Sequence, residues 1–201
     1  MSVRRLAPLE LQPKSFAFTA ENQAWAEREI AKYPPGRQAA AVIPLLWKAQ
    51  EQSGRWLPEA AIRAVADQLG LAHIRALVVA TFYTMINLAP VGRTYVQLCG
   101  TTPCVLRGAE ELKQVCRRKI GEENHVTAGG QFSWIEVECL GACVNAPMVQ
   151  INADYYEDLT ADSFTRILNE LSLGKTPKPG PQIDRLNSAP IGGQTTLFDK
   201  A

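Results

Sequence analysis

The sequence has little net charge and no long apolar run, and each shortage argues against a class of protein. Its formal net charge is +1, from 21 basic and 20 acidic residues, which gives no electrostatic reason to expect binding to nucleic acid or to an anionic membrane. The least polar stretch, residues 76–92, contains polar side chains and is shorter than the roughly 20 residues that a membrane-spanning helix needs. No apolar segment typical of a signal peptide follows the first basic residues. We therefore expect a soluble, cytoplasmic protein with no direct membrane insertion.

Histidine and the C-x2-C motif are also scarce. His73 and His125 are the only histidines, and neither is close in sequence to a pair of cysteines, so both are expected to be structural or solvent-exposed. The C-x2-C motif of dithiol oxidoreductases is absent, which argues against that kind of redox catalysis. No G-x-G-x-x-G motif follows a predicted strand, so nucleotide binding is not expected either.

Cysteine is the informative residue that is present. Cys99 and Cys104 form a C-x4-C motif, Cys139 and Cys143 form a C-x3-C motif, and each motif follows a predicted β-strand. Clustered cysteines in a reducing compartment more often indicate metal binding or redox chemistry than structural disulfides. The fifth cysteine, Cys116, belongs to the apolar stripe of a predicted helix and is expected to be a buried core residue.

The spacing of the paired cysteines favours a binuclear iron centre. Thiolates bind both iron and zinc, but a C-x4-C loop is wide and also occurs in plant-type [2Fe–2S] ferredoxins. Gly100 and Gly141 allow the backbone to approach the sulfur atoms, so that N–H groups can point at a cluster. The simplest assignment gives each iron one cysteine pair. Structural zinc and thiol or disulfide chemistry remain open alternatives.

The first ninety residues predict helices. The predicted segments are 20–33, 38–53, 58–69 and 72–85. Pro44 lies within the second segment, so either a kink or a later start of that helix is expected. The fourth segment carries an apolar stripe of Ile74, Leu77, Val78 and Phe82, and we expect a buried core helix there.

The period of the sequence changes after Pro90. Strands are predicted at 93–98, 132–138 and 148–152, with a short fourth around Tyr155, and helices at 109–120 and 160–171. This β-α-β-β-β-α order fits a thioredoxin-like α/β sandwich. Thioredoxin-like folds often place a cis proline before the third strand, so Pro147 is the candidate, with both isomers left open. After Ser172 the chain is rich in proline and glycine, which predicts a tail that is either disordered or extended over another surface.

The predicted organisation is therefore an α+β protein of four parts. An N-terminal arm of residues 1–19 precedes a helical bundle domain at 20–90. A thioredoxin-like [2Fe–2S] domain follows at 91–172, and an extended, partner-binding tail occupies 173–201.

Several segments of the sequence resemble a known family. They are residues 43–46 (IPLL), 49–54 (AQEQSG), 80–85 (ATFYTM) and 139–147 (CLGACVNAP), together with the C-x4-C motif. Over residues 20–172 the chain resembles the 24-kDa-type subunit of NADH:quinone oxidoreductase, or respiratory complex I, which is called the E subunit in bacteria. Residues 190–197 are also similar to the extended end of mitochondrial-type members.

The resemblance implies a function as well as a fold. It implies one [2Fe–2S] cluster with Cys99, Cys104, Cys139 and Cys143 as ligands, and an electron-transfer role in which single electrons are exchanged with a flavin. It also implies a partner flavoprotein that binds FMN and NADH, a large iron–sulfur protein as a second partner, and a peripheral position on the cytoplasmic or matrix side of the membrane. This chain would hold no catalytic residues of its own.

Two alternatives accompany this interpretation. The first is a diaphorase γ-type subunit of an NAD-dependent hydrogenase or formate dehydrogenase, since such subunits share the cysteine motif. The second is a structural zinc-binding interaction module.

Overall fold

A computed structural model describes residues 4–193, which form two compact units, one up to Val91 and one from Gly92. Each unit has its own hydrophobic core. Within residues 4–193, every helix is too short or too polar to span a bilayer.

The first unit is helical. Its elements are α1 (Ala20–Ile30), α2 (Val42–Gln52), α3 (Glu59–Gln68) and α4 (His73–Phe82), with 3₁₀ turns at Leu9–Leu11 and Gln38–Ala41. Thr19 caps α1 by accepting a hydrogen bond from the N–H of Asn22. Of the two outcomes predicted for Pro44, the later start is observed: a 3₁₀ turn precedes α2, and the proline falls in the first turn of the helix, where its missing N–H costs nothing.

The orientation predicted for α4 is wrong for three of the four residues of its predicted apolar stripe. Ile74, Val78 and Phe82 are 60%, 56% and 74% exposed, whereas Ala76 and Ala80 are fully buried. α4 packs against α2 and α3, and two alanines one turn apart let the helices approach closely. The alanines therefore face the core, three of the four predicted stripe residues lie on the surface, and the fourth, Leu77, packs against the core while partly buried.

The second unit has a mixed five-stranded sheet. The strands are β1 (Thr94–Cys99), β2 (Phe132–Val137), β3 (Val149–Ile151), β4 (Asp154–Glu157) and β5 (Gly180–Pro181), in the order β2-β1-β3-β4-β5. Its helices are α5 (Thr102–Leu106), α6 (Ala109–Lys119) and α7 (Ala161–Ser172). The predicted β-α-β-β-β-α order is present, with α5 and β5 as additions that the sequence did not predict.

The parallel pairing of β1 and β2 sets the position of the cysteines. β1 pairs with β2 in parallel, with Cys99 opposite Val137, and α6 lies in the crossover between them. β3 is antiparallel to both β1 and β4. Parallel strands end at the same edge of a sheet, so the loops after β1 and β2 are neighbours there.

The core of this unit lies where α6 and α7 pack together beside the sheet. Trp134 and Phe164 are among its largest buried side chains, and β1 is buried along most of its length. Cys116, on α6, is fully buried in this core, which confirms the prediction made for it.

The described part of the tail contacts its own unit. β5 pairs in parallel with β4, the N–H of Gln182 donates to the carbonyl of Glu157, and the Tyr156 hydroxyl donates to the carbonyl of the buried Pro177. This part of the tail is therefore ordered by contacts within the chain. Of the segment predicted to resemble mitochondrial-type members, residues 194–197 lie outside the described residues.

Candidate metal centre

All four predicted ligands lie at one edge of the sheet. Cys99 is the last residue of β1, and Cys104 lies in α5, which follows at once. Cys139 comes two residues after β2 ends at Val137, and Cys143 opens a 3₁₀ turn, Cys143–Asn145. The parallel pairing of β1 and β2 therefore brings the two motifs together, although 34 residues separate them in sequence.

The first cysteine pair is buried. Cys99 and Cys104 are 2% and 1% exposed, and their thiols are in hydrogen-bonding contact. α5 starts within the C-x4-C motif because Thr101 is extended at its N-cap and Pro103 is tolerated in its first turn. The hydroxyl of Thr101 lies 3.4 Å from the Cys99 sulfur.

The second cysteine pair is exposed. The sulfur atoms of Cys139 and Cys143 are 3.4 Å apart, and both residues lie on the surface. The N–H of Gly141 points back at the Cys139 sulfur, at 3.4 Å. Gly141 has a φ of +86°, a left-handed conformation that glycine adopts without a steric penalty, so the turn depends on a glycine at this position.

Hydrogen bonds link the two pairs. The backbone N–H of Leu140, in the second motif, donates to the Cys99 thiol, and the N–H of Met148 donates to the Cys104 thiol. The Thr101 hydroxyl contacts the thiols of both Cys99 and Cys139. Met148 follows the Ala146–Pro147 peptide bond, which is cis, the isomer often found before this strand in thioredoxin-like folds.

In each pair the pKa of one thiol is lowered and the pKa of the other is raised. Burial acts to raise the pKa of Cys99, but hydrogen bonds from Thr101, Leu140 and Cys104 outweigh it, and the net shift is downward. Burial, with the adjacent Cys99, raises the pKa of Cys104 to about 12. The Gly141 N–H and the Cys143 thiol lower the pKa of Cys139, and the adjacent Cys139 raises that of Cys143. A metal must therefore displace protons from Cys104 and Cys143 as it binds.

This arrangement fits an iron–sulfur centre. The donors are four thiols in two pairs, with backbone N–H groups from Leu140, Gly141 and Met148 directed at sulfur. Such N–H groups offset the negative charge of thiolates and bridging sulfides. Among residues 4–193, no group of three or more Cys, His, Asp or Glu side chains is placed so that it could hold a single metal ion.

The histidines play no part in this arrangement. His73 is on α4 of the helical unit, with its Nε2 atom 2.7 Å from Asp67, and His125 is exposed on a loop. Both fit the structural or exposed role predicted for them.

Arg185 is a feature of the site that the sequence analysis missed. Its guanidinium group reaches the turn that carries Cys143 and donates to the carbonyl of Val144 at 3.1 Å. A single arginine in a polar stretch has no periodic pattern that could have revealed this contact.

Comparison with known proteins identifies the family to which this chain is similar. Residues 26–172 match the family model described as thioredoxin-like [2Fe-2S] ferredoxin. A solved chain of an NAD+-reducing [NiFe]-hydrogenase superposes with a TM-score of 0.55 and 18% identity, over 64% of this chain and 23% of that chain. At that identity the likeness concerns the fold alone, and this chain spans less than a quarter of the hydrogenase chain.

Sequence relatives are much closer. The chain is 59% identical to the E 1 subunit of NADH-quinone oxidoreductase from Rhizobium meliloti (strain 1021), over 98% of this chain and 73% of the relative. It is 51% identical to the E subunit of the enzyme from Rickettsia bellii (strain RML369-C), over 78% and 95%. It is 44% identical to the mitochondrial NADH dehydrogenase [ubiquinone] flavoprotein 2 of Dictyostelium discoideum, over 92% and 75%. The chain therefore belongs to the thioredoxin-like [2Fe–2S] ferredoxin family, together with the E subunits of NADH-quinone oxidoreductases.

Proposed function

We propose that this chain is an electron-transfer subunit of an NADH:quinone oxidoreductase, respiratory complex I, and holds one [2Fe–2S] cluster. The observation that carries the proposal is the meeting of two thiol pairs at one sheet edge, in a chain 59% identical over 98% of its length to an E subunit of that enzyme. The proposed ligands are Cys99, Cys104, Cys139 and Cys143. When bound, the cluster supplies a centre that takes up and releases one electron at a time.

The protein's own part is to hold four thiolates and to balance their charge. The buried pair, Cys99 and Cys104, would ligate one iron, and the exposed pair, Cys139 and Cys143, the other. The N–H groups of Leu140 and Met148 donate hydrogen bonds to the buried thiols, and these bonds stabilise negative charge on sulfur. Such groups are a main means by which a protein adjusts the reduction potential of a cluster.

The exposed ligand pair supports docking of a partner on this face. Val144, next to Cys143, is 71% exposed, and Leu106, two residues after Cys104, is 80% exposed. Exposed apolar side chains beside a redox site are typical of an interface with another protein. We propose that the flavoprotein subunit, which would bind FMN and NADH, docks here and exchanges single electrons with the cluster. The chain would thus act as part of an enzyme, without a complete catalytic site of its own.

The wider assembly is part of the same proposal. The large iron–sulfur subunit would be a second partner, in the peripheral arm on the cytoplasmic side of the membrane, or on the matrix side in a mitochondrion. A diaphorase role in a hydrogenase is less well supported, because the likeness to the hydrogenase is one of fold at 18% identity. Co-purification of the native complex distinguishes the two, since a hydrogenase protein as the main partner would contradict the proposal.

Analysis of metal and sulfide tests the cluster directly. We expect the full chain, purified without oxygen, to contain about two iron and two acid-labile sulfide per molecule, with a rhombic EPR signal after reduction. Stoichiometric zinc without sulfide would contradict the proposal and favour the structural zinc alternative.

Serine substitutions test the ligands. Cys→Ser at each of the four proposed positions should abolish or alter the EPR signal, because the hydroxyl is a poor substitute for a thiolate as an iron ligand. Cys116→Ser is the matched control for Cys99 and Cys104: its side chain is as buried as theirs, but it lies on α6, away from the motifs. Loss of the signal in the control, or an unchanged signal in the other four variants, would overturn the assignment.

A further inference from the structure

A polar network reaches the Cys143 turn from the tail. The guanidinium group of Arg185 donates to the carbonyl of Val144 at 3.1 Å and to the side-chain carbonyl of Asn145. Its Nε atom lies 2.9 Å from a carboxylate oxygen of Asp158, just after β4. One side chain therefore contacts both the turn that carries a proposed ligand and the end of a neighbouring strand.

The network is buried, so its geometry is tightly constrained. The side chains of Arg185 and Asp158 are 4% and 6% exposed. Buried charges persist only when an opposite charge compensates them, and Asp158 supplies that charge. Arg185 Nε and that Asp158 oxygen are in charge contact rather than in an aligned hydrogen bond, and neither atom makes a hydrogen bond among residues 4–193. The guanidinium group of Arg185 instead donates its hydrogen bonds to the Cys143 turn and to a nearby carbonyl of the tail.

Asn145 connects this network to the rest of the domain. It is 1% exposed, and its amide group donates to the carboxylate of Glu157 and, at 3.1 Å, to the carbonyl of Asn187. Its backbone carbonyl accepts the N–H of Asp158 at 2.7 Å. Asn145 is the last residue of the turn. Its side chain is thus hydrogen-bonded to the end of β4 and to the tail, and its backbone carbonyl is hydrogen-bonded to the residue just after β4.

The exposed cysteine pair has less support from packing: between the two cysteines, Leu140 and Ala142 pack against the core while partly buried. Cys139 and Cys143 lie on the surface, whereas Cys99 and Cys104 are part of the hydrophobic core. On this side of the site the polar network adds to the packing of Leu140 and Ala142.

We propose that Arg185 is a positioning residue for the metal centre: it holds the Cys143–Asn145 turn so that the Cys143 thiol stays beside that of Cys139. This inference rests on the cluster-binding function proposed above, and it makes the tail part of the site. A planar guanidinium suits the task, since its donors can bond two carbonyl groups at once, which a lysine ammonium does less rigidly.

Two variants of the full chain separate the geometry of Arg185 from its charge. Arg185→Lys keeps the positive charge and loses the planar donor group, and Arg185→Gln loses both. Arg166→Gln, an exposed residue on α7, is the matched control. We expect both Arg185 variants to release iron to a chelator about 10- to 100-fold faster than wild type, the factor by which loss of a ligand's support typically weakens metal binding. Only Arg185→Gln should lower the midpoint potential, because only it removes a positive charge near the site.

A measurement on the metal-free protein makes the test independent of the cluster. Hydrogen exchange at the backbone amide of Asn145 should be faster in both Arg185 variants than in wild type or Arg166→Gln. If wild type holds no iron and sulfide, the proposed function fails, and amide exchange still decides whether the contact holds the turn. Iron release and amide exchange equal to wild type would overturn the inference. If Arg185→Gln does not fold, Arg185→Lys alone decides between these outcomes.

Discussion

The two cysteine pairs of this protein are built in different ways. Cys99 and Cys104 are almost fully buried, at the end of a central strand and in the helix that follows it. Cys139 and Cys143 are exposed, on a loop whose regular structure is a single 3₁₀ turn. The first pair is fixed by burial in the core. The second is exposed, and its loop is held by the partly buried Leu140 and Ala142 together with hydrogen bonds from residues distant in sequence. The exposed pair, Cys139 and Cys143, therefore depends more than the buried pair on contacts with residues outside its own motif.

The largest expected contrast is in thiol reactivity. In the metal-free protein, iodoacetamide at pH 8 should modify Cys139 first, because it is exposed and its pKa is lowered by the Gly141 N–H. The pKa of Cys104 is raised from 9.0 to about 12, so its reactive thiolate is about 1,000-fold scarcer at pH 8. Its reaction should speed up as the pH rises towards that value. Peptide mass spectrometry over time measures both rates.

Cys116 is the internal control for that experiment. It is fully buried, lies on α6, and has a pKa raised to about 12 by burial. It should react as slowly as Cys104. Equal rates at all five cysteines would show that the two pairs do not differ in burial.

The next largest effect concerns the buried charge behind the exposed pair. Asp158→Asn should lower the free energy of unfolding by about 3 kcal/mol, because it leaves the buried Arg185 without its opposite charge. This is the lower end of the range for such changes, since asparagine keeps a polar partner and tolerates the left-handed backbone at this position (φ 52°).

Asp154→Asn, on the exposed side of β4, is the matched control and should cost at most about 0.5 kcal/mol. Urea denaturation measures both variants. A loss in Asp158→Asn no larger than in the control would show that the ion pair contributes nothing to the second half of the site.

A smaller effect separates burial from metal binding. Cys116→Ser should lower the free energy of unfolding by about 1–2 kcal/mol, because it places a hydroxyl in an apolar core, and should leave the EPR spectrum unchanged. Cys104→Ser, equally buried, should change the spectrum. The same spectral result for both variants would contradict the distinction between core and ligand cysteines.

The smallest effect concerns one hydrogen bond to the exposed motif. Tyr155→Phe removes the hydroxyl that donates to the Leu140 carbonyl at 2.8 Å and should cost about 1 kcal/mol of unfolding free energy. It should also speed alkylation of Cys139, because the loop becomes less fixed. Tyr156→Phe, whose hydroxyl donates to Pro177, is the control: a similar loss of stability is expected, with no change at Cys139. Equal alkylation in both variants would remove Tyr155 from the contacts that hold the loop.

Local patterns in the sequence were enough to predict where both cysteine motifs lie, but not all of the contacts around the exposed motif. Alternating strands that end just before each cysteine motif, separated by a helical stretch, indicated a β-α-β unit with both motifs at one edge, and the parallel pairing of β1 and β2 confirms it. The burial of Cys116 followed from helical spacing in the same way. These features depend on residues that are near one another in the chain.

Other features depend on distant contacts and were not predictable. On α4, both the alanines and the larger apolar residues recur at helical spacing, so periodicity alone does not indicate which set faces the core. Arg185 acts through contacts with Val144 and Asn145, and nothing in the residues next to it marks that role. The short helix α5 forms within a motif that a sequence-based interpretation treats as a loop.

The place of Arg185 in the chain also sets an order of events during synthesis. It follows Asn145 by 40 residues, so the ribosome makes both cysteine motifs, all four strands from β1 to β4, and α7 before it. Chains fold from the N-terminal side as they are made, and the buried pair can already pack into the core at that stage. The Cys143 turn gains its arginine only afterwards, which makes cluster insertion into a nascent chain less secure than insertion into a finished one.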